Sequence, residues 1–131
     1  MIWESMINEN NISNPFKYHT SFEDRIRQST AIIEKYPSKV PIIVQKHHTE
    51  SDLTDLDKTK FLVSLDFTGS HLTRVVCHRL QRLSETKALF FLTESGKLFQ
   101  PNTLISTIYE ESKDEDGFLY IFYHSENTFG E

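Results

Sequence analysis

One cysteine, Cys77, is all the thiol chemistry this chain of 131 residues holds. That excludes an internal disulfide and any zinc site built from cysteines alone. Apolar stretches are short: the longest, such as 118–123, fall far below the roughly 20 residues that span a bilayer. Residues 1–15 contain no lysine or arginine and no apolar core, so they do not resemble a secretory signal, and a reduced, cytosolic setting is expected. There is no phosphate-binding loop, no dinucleotide fingerprint and no HExxH helix. The acidic run 110–116 does not follow EF-hand spacing. His47 and His48 are adjacent rather than spaced as zinc ligands. Cys77 and His78, neighbours on a helix, point about 100° apart, and no acid is placed to orient the imidazole. No catalytic constellation, metal site or cofactor site emerges, and an enzyme is not expected.

Hydrophobic residues make up 37% of the chain and aromatics 12%, enough for one packed domain. The net charge of −5 is unevenly spread. Residues 16–92 carry 12 Lys and Arg against 9 Asp and Glu, whereas 93–131 carry 2 against 8. The middle of the chain therefore suits acidic partners, yet no patch is basic enough for nucleic acid.

"MIWESMINENNISN" has no periodicity, and residues 1–15 are expected to form a flexible extension ended by Pro15. Ser21 and Asp24 read as a capping box opening a helix over 22–36, stopped by Pro37, with Phe22, Ile26, Ser29, Ile33 and Tyr36 as its core stripe. Ile32 lies off that stripe, either by chance or as part of a second, exposed contact. "KVPIIVQK" is a strand with Val40, Ile42 and Val44 on one face and Pro41 and Ile43 on the other; Pro41 predicts a position near a sheet edge or a bulge. "KTKFLVSL" is a second strand whose Lys58 and Lys60 guard an exposed edge. "GSHLTRVVCHRLQRL" is a helix with Leu72, Val75, Val76, Leu80 and Leu83 in one stripe. Arg79 falls inside that stripe, so its guanidinium must reach a rim or find an acid. "KALFFLT" is a third strand, "NTLISTIYEE" a short helix, and "FLYIFY" a central strand buried on both faces. Without the first helix the order is ββαββ. This is an α+β fold, the ubiquitin-like β-grasp, with an additional N-terminal helix or helices packed on the sheet.

The stretches "EKYPSKVPIIVQK", "DLDKTKFLV", "KALFF" and "IYEESKDEDGFLYIFYHSENTFG" occur in the order seen in the autophagy ubiquitin-like modifiers of the GABARAP and light-chain-3 type. The chain resembles that family over roughly residues 16–130. Beyond the flexible extension read from the aperiodic residues 1–15, which have no counterpart in the family, the resemblance implies a ubiquitin-like domain (16–124) and a flexible C-terminal tail (125–131). It also implies a precursor that a processing cysteine protease cuts after Gly130, releasing Glu131. Ubiquitin-like activating and conjugating enzymes would then join the glycine to phosphatidylethanolamine, moving a cytoplasmic protein onto the autophagosomal membrane. Glycine suits this chemistry, because without a Cβ its carbonyl can be closely approached by a catalytic sulfur and oxyanion donors.

The same resemblance implies a groove for acidic-aromatic-aliphatic peptide motifs of autophagy receptors, which would add a strand to an exposed sheet edge. Pocket one maps to Ile32, Pro41, Ile43, Lys60, Leu62 and Phe118, and pocket two to Phe61, Val63, Phe67, Leu72 and Val75. Lys39, Lys58, Lys60 and Arg79 would meet the peptide's acids. The chain departs from the family at Ser64, where a proline is usual, and at Gly69, one place earlier than the usual glycine. It also carries extra residues near 47–50 and 81–83. An alternative is an adaptor that uses this groove without conjugation.

Overall fold

The computed structural model describes residues 12–80 and 88–125. Residues 1–11, Leu83, Lys87, Gly130 and Glu131 lie outside that range. The elements are α1 (Pro15–His19), α2 (Phe22–Lys35), β1 (Lys39–Lys46), β2 (Lys60–Ser64), α3 (Gly69–Arg79), β3 (Phe90–Thr93), α4 (Ile105–Ser112) and β4 (Leu119–His124). The four strands form one sheet in the order β2-β1-β4-β3, with β1 parallel to β4 and both outer pairs antiparallel. This is the ubiquitin-like β-grasp arrangement, with two helices preceding β1.

The run "FLYIFY" yields the central strand β4, buried along its whole length. Sheet alternation divides the core. Val40, Ile42, Val44, Leu119, Ile121 and Tyr123 pack with Leu72, Val76 and Leu80 of α3 and with Ile105 and Ile108 of α4. Ile43, Phe118, Tyr120 and Phe122 face the other way, where Phe16 of α1 packs against them. Pro41 lies near the sheet edge, on β1, one strand in from the edge strand β2. It is tolerated because pairing with β4 begins only at Ile42, so the ladder needs no donor at position 41.

Of the core stripe expected for α2, only Ser29 is buried. Phe22, Ile26, Ile33 and Tyr36 are exposed, each by more than a third, and Arg25, outside the stripe, is buried beside Ser29. Close approach, rather than hydropathy, sets this face. The Ser29 hydroxyl donates to the Asp116 carbonyl, and a Cβ at Gly117 would come within 2.5 Å of the Ser29 oxygen. Gly117 also has φ +93°, which favours glycine. Ile32 follows Arg25 and Ser29 at helical spacing and is half-buried. Of the capping box, only the Ser21 half is seen, its hydroxyl accepting from the Asp24 amide at 3.2 Å. The reciprocal box occurs at Thr68 and His71, opening α3. Gly69, the displaced glycine, is needed there, because a Cβ would lie 2.8 Å from the Gln100 carbonyl oxygen.

Order begins before residue 16. Asn14 is buried and caps α1 by accepting from Lys17 N, and Pro15 occupies the first turn, where its missing N–H costs nothing. Asn14 Nδ2 donates to Glu94 at 2.7 Å, and Gln45 bridges Asn14 Oδ1 and the Phe16 amide. Lys17 Nζ pairs with Glu94 at 2.7 Å and Asp114 at 2.5 Å. Burial opposes charge on Asp114, but bonds from Lys17 and the Asp116 amide hold its carboxyl below the usual carboxylate range. Burial also opposes charge on Lys17, and its two acids push its ammonium above the ordinary lysine range.

The linkage signs follow. A depressed Asp114 contributes stability at neutral pH that is lost as pH falls through its folded pKa, below the usual carboxylate range. A raised Lys17 contributes stability that is lost only at strongly alkaline pH. Lys17→Met should therefore cost about 1 kcal/mol at pH 7, allowing for solvent screening, and clearly less at pH 2. Urea denaturation of both proteins at the two pH values measures this; an equal deficit at both would contradict the ionic clamp.

Candidate functional site

β2 is an edge strand, and its outer side carries no strand among the described residues. The Val44 amide donates to the Thr59 carbonyl at 2.8 Å. Antiparallel alternation then turns the main-chain groups of Phe61 and Val63 toward β1 and those of Lys60, Leu62 and Ser64 outward. An extended peptide could hydrogen-bond along this edge. Serine in place of proline at position 64 supplies an N–H there. The Ser64 carbonyl instead accepts from the Phe67 amide at 3.1 Å, closing the turn that ends the strand.

On one side of this edge, Phe61, Val63, Phe67, Leu72 and Val75 line a single cavity of about 310 Å³, together with Lys39, Leu62 and Ser64. Every residue mapped to pocket two is thus brought together, between β2 and α3. Val63 and Leu72 are buried and form its floor, while Phe61, Phe67 and Val75 are half-buried walls. On the other face, Pro41 is paired with Leu62 and Ile43 with Lys60 across the β1–β2 ladder. Ile43 is fully buried and packs with Phe118, and Pro41 is also buried. Leu62 and Ile32 are half-buried, and Lys60 is exposed. The mapped residues of pocket one therefore comprise a buried floor with a partly open rim.

Phe16, which the sequence reading left unassigned, belongs beside them. Its ring meets Phe118 edge-on at 5.7 Å, and Lys60 Nζ lies 5.7 Å from its centroid. The available signal was Asn14-Pro15, a helix-start pair that was read as the end of an extension instead.

Cations crowd the same edge. Lys58 Nζ and Arg79 Cζ each stand 5.6 Å from the Phe61 ring centroid. Arg79 finds the acid its position demanded: its guanidinium donates to the Asp57 oxygens at 3.2 and 3.4 Å. This pair is exposed, and such pairs contribute at most about 1 kcal/mol, so an incoming carboxylate can compete for Arg79.

The floor of pocket one is set by Asp116. Its carboxylate, almost wholly buried, accepts from Arg25 at 2.8 Å, from the Tyr120 hydroxyl and from the Phe118 amide at 2.9 Å. Arg25 Nε also donates to the Thr20 carbonyl at 3.2 Å. The Tyr120 hydroxyl is pushed above its ordinary range, by burial first and then by the acceptor beside it, so it remains a donor. The Asp114–Gly117 turn therefore delivers Phe118 to Ile43 at a fixed distance from α2. Elsewhere, Cys77 is half-buried and burial raises its pKa, which disfavours the thiolate a nucleophile needs. His47 and His48 stack with centroids 4.4 Å apart, and burial, followed by repulsion from His48 and His124, pushes His47 down to about 4.

The fold and the open edge define a ubiquitin-like protein equipped to accept a strand. Residues 24–130 match the family profile described as autophagy protein Atg8, ubiquitin-like. Autophagy-related protein 8b of Arabidopsis thaliana is 46% identical over 117 residues, covering 89% of this chain and 93% of that protein. Autophagy-related protein 8 of Schizosaccharomyces pombe is 46% identical over 116 residues, covering 88% and 93%. The crystal structure of Trypanosoma brucei ATG8 superposes with a TM-score of 0.80 at 36% identity, covering 91% of this chain and all of that one. The chain belongs to the Atg8 family of autophagy ubiquitin-like modifiers.

Asp116→Asn would leave the Arg25 guanidinium buried without its counter-charge. The expected loss is about 3 kcal/mol of unfolding free energy. Denaturant unfolding checks it; a loss below 1 kcal/mol would show that Asp116 does not tie α2 to the sheet.

Proposed function

We propose that this chain is a conjugated Atg8-type modifier, cut after Gly130, joined to phosphatidylethanolamine and read by receptors through the β2 edge. A processing cysteine protease would hydrolyse the Gly130–Glu131 peptide bond, leaving a glycine carboxylate. An activating enzyme would adenylate that carboxylate with ATP, releasing pyrophosphate, and exchange the AMP for its cysteine thiol; after transfer to the conjugating enzyme's cysteine, the lipid amine would displace the thiol to form an amide. No described helix is long and apolar enough to cross a membrane, so a covalent lipid would supply the membrane attachment. The protein would then divide between cytoplasm and autophagosomal membrane.

The observation that carries the receptor part is the coincidence of an unpaired strand edge with the cavity of about 310 Å³ beside it and the cations Lys58, Lys60 and Arg79 around it. Main-chain bonds to Lys60, Leu62 and Ser64 would hold the peptide. An aromatic side chain would sit over the Ile43–Phe118 floor, an aliphatic one would enter the Val63–Leu72 cavity, and the preceding acids would meet the cations, with Lys39 at the far end.

Two experiments test this. Leu62→Glu places a carboxylate on a half-exposed edge residue, so the fold should survive while acidic-aromatic peptides lose at least 30-fold in affinity by calorimetric titration. Unchanged affinity would reject the groove. Incubation in cell extract should remove one glutamate residue by mass spectrometry, and Gly130→Ala should prevent it; an intact mass throughout would favour the non-conjugated adaptor.

A further inference from the structure

The last described residue, Ser125, is held by a buried carboxylate from a distant loop. Glu50 lies in the loop that follows β1, and only 6% of it is exposed. One carboxylate oxygen, Oε1, accepts from the Ser125 amide at 2.7 Å and from the Ser125 hydroxyl at 2.8 Å. The other, Oε2, accepts from the amides of Asp52 and Leu53 at 2.7 and 2.8 Å. One side chain thus ties its own loop with one oxygen and the end of β4 with the other. His124 adds to the contact, its Nδ1 lying 3.3 Å from Glu50 Oε1 and its Nε2 3.1 Å from the Thr49 hydroxyl. The His47 amide donates to the Tyr123 carbonyl at 3.0 Å, which seats the start of the loop against β4.

This construction exceeds what the fold needs. Strand β4 is already paired on both sides, through Tyr123 with β1 and through His124 with β3. Ser125 lies beyond both ladders, and burying a carboxylate to grip one residue past the sheet is costly unless every lone pair is used. Burial does oppose the charge on Glu50, yet the bonds from Ser125, Asp52 and Leu53 outweigh it and hold the carboxyl below its ordinary range. The clamp is therefore ionised and closed at neutral pH.

We propose that Glu50 is a positioning residue for the carboxyl-terminal tail, fixing at Ser125 the point and direction from which the chain runs to Gly130. The proposal rests on cleavage after Gly130 as argued above. Five residues separate Ser125 from the bond to be cut, a reach of at most about 18 Å. With the root fixed, a protease cleft meets a chain that starts from a defined place on the domain. Without it, the cleft must itself immobilise the root. Each backbone unit fixed by the enzyme rather than by the domain weakens binding by roughly tenfold. The penalty falls on association and not on bond cleavage, so it belongs in KM.

Glu50→Gln keeps the shape but exchanges one acceptor oxygen for a donor, so one arm of the clamp must open. With the full-length chain and a purified Atg8-processing cysteine protease, Glu50→Gln should raise KM about tenfold and leave kcat within twofold. Ser125→Ala, which removes only the hydroxyl donor and cannot unfold the sheet, should give a smaller rise in KM. In the same samples, amide exchange followed by NMR should speed up at Ser125 at least tenfold in Glu50→Gln, with the Phe122 amide unchanged. A Ser125 amide that is deprotected while KM stays the same would overturn the positioning role and leave the cleavage assignment standing. A wild-type Ser125 amide that exchanges as fast as an unfolded peptide would overturn the clamp itself. A wild-type chain that the protease does not cut would sink both together.

Discussion

The buried pair of Arg25 and Asp116 is the constraint on which the rest of the structure depends. A guanidinium and a carboxylate removed from water must satisfy each other and nearly every remaining lone pair. Here the Tyr120 hydroxyl, the Phe118 amide and the Thr20 carbonyl complete the set. Those partners come from the link between α1 and α2 and from the chain that follows the turn leading into β4. The pair thus fixes how the N-terminal helices sit on a sheet that a bare β-grasp would leave open to water. It also explains why α2 turns a polar face inward. Once Arg25 is committed to Asp116, the helix lies so close that Ser29 leaves no room for a Cβ at Gly117, and Phe22, Ile26, Ile33 and Tyr36 are left outside.

The edge strand gains its character from the same arrangement. Among the described residues β2 pairs only with β1, and β1 is held from its other side by β4, so the outer main-chain groups of Lys60, Leu62 and Ser64 are presented on a rigid support. Exposed edges invite aggregation, and lysine is a usual deterrent. Lys58 and Lys60 serve that end by charge, and the same charge favours a strand that brings carboxylates. Negative selection against random strands and recognition of acidic ones can therefore share residues. Arg79 adds a third cation, pinned by Asp57 and stacked on Phe61.

Much of this was legible in the residues, and what was not has physical causes. Period-two alternation in "KVPIIVQK" separated Val40, Ile42 and Val44 from Ile43, and the structure assigns them to two different cores. The unbroken "FLYIFY" run announced a strand covered on both faces. Pro41 pointed near the sheet edge and sits one strand in from it, tolerated because a proline bars a ladder donor only where a partner strand is present, and β4 starts pairing one residue later. The α2 stripe misled because periodicity reports which residues share a side, not which side is buried; an ion pair spanning 91 positions in sequence decided that. Phe16 and Lys17 were hidden by neighbouring asparagines that suggested disorder, when Asn14 is in fact bound to Gln45 and Glu94. The Glu50–Ser125 contact, 75 positions apart, left no local trace at all.

Strand β4 joins two jobs that look separate. Its N-terminal side starts at the Asp116 turn and carries Phe118, the floor of the proposed aromatic pocket. Its C-terminal side ends at Ser125, the root of the proposed conjugation tail. Six residues of buried strand lie between, and such a close-packed segment resists being deformed. A ligand on the β2 edge that leaves this strand undeformed would leave the exit point of the tail where it was. The modifier proposed above, held by a membrane at one end and read by a receptor at the other, would need that independence. The rigidity of β4, flanked by a buried carboxylate at each end (Asp116 before it and Glu50 beside its exit), is the physical means by which one small domain could keep the two events from interfering.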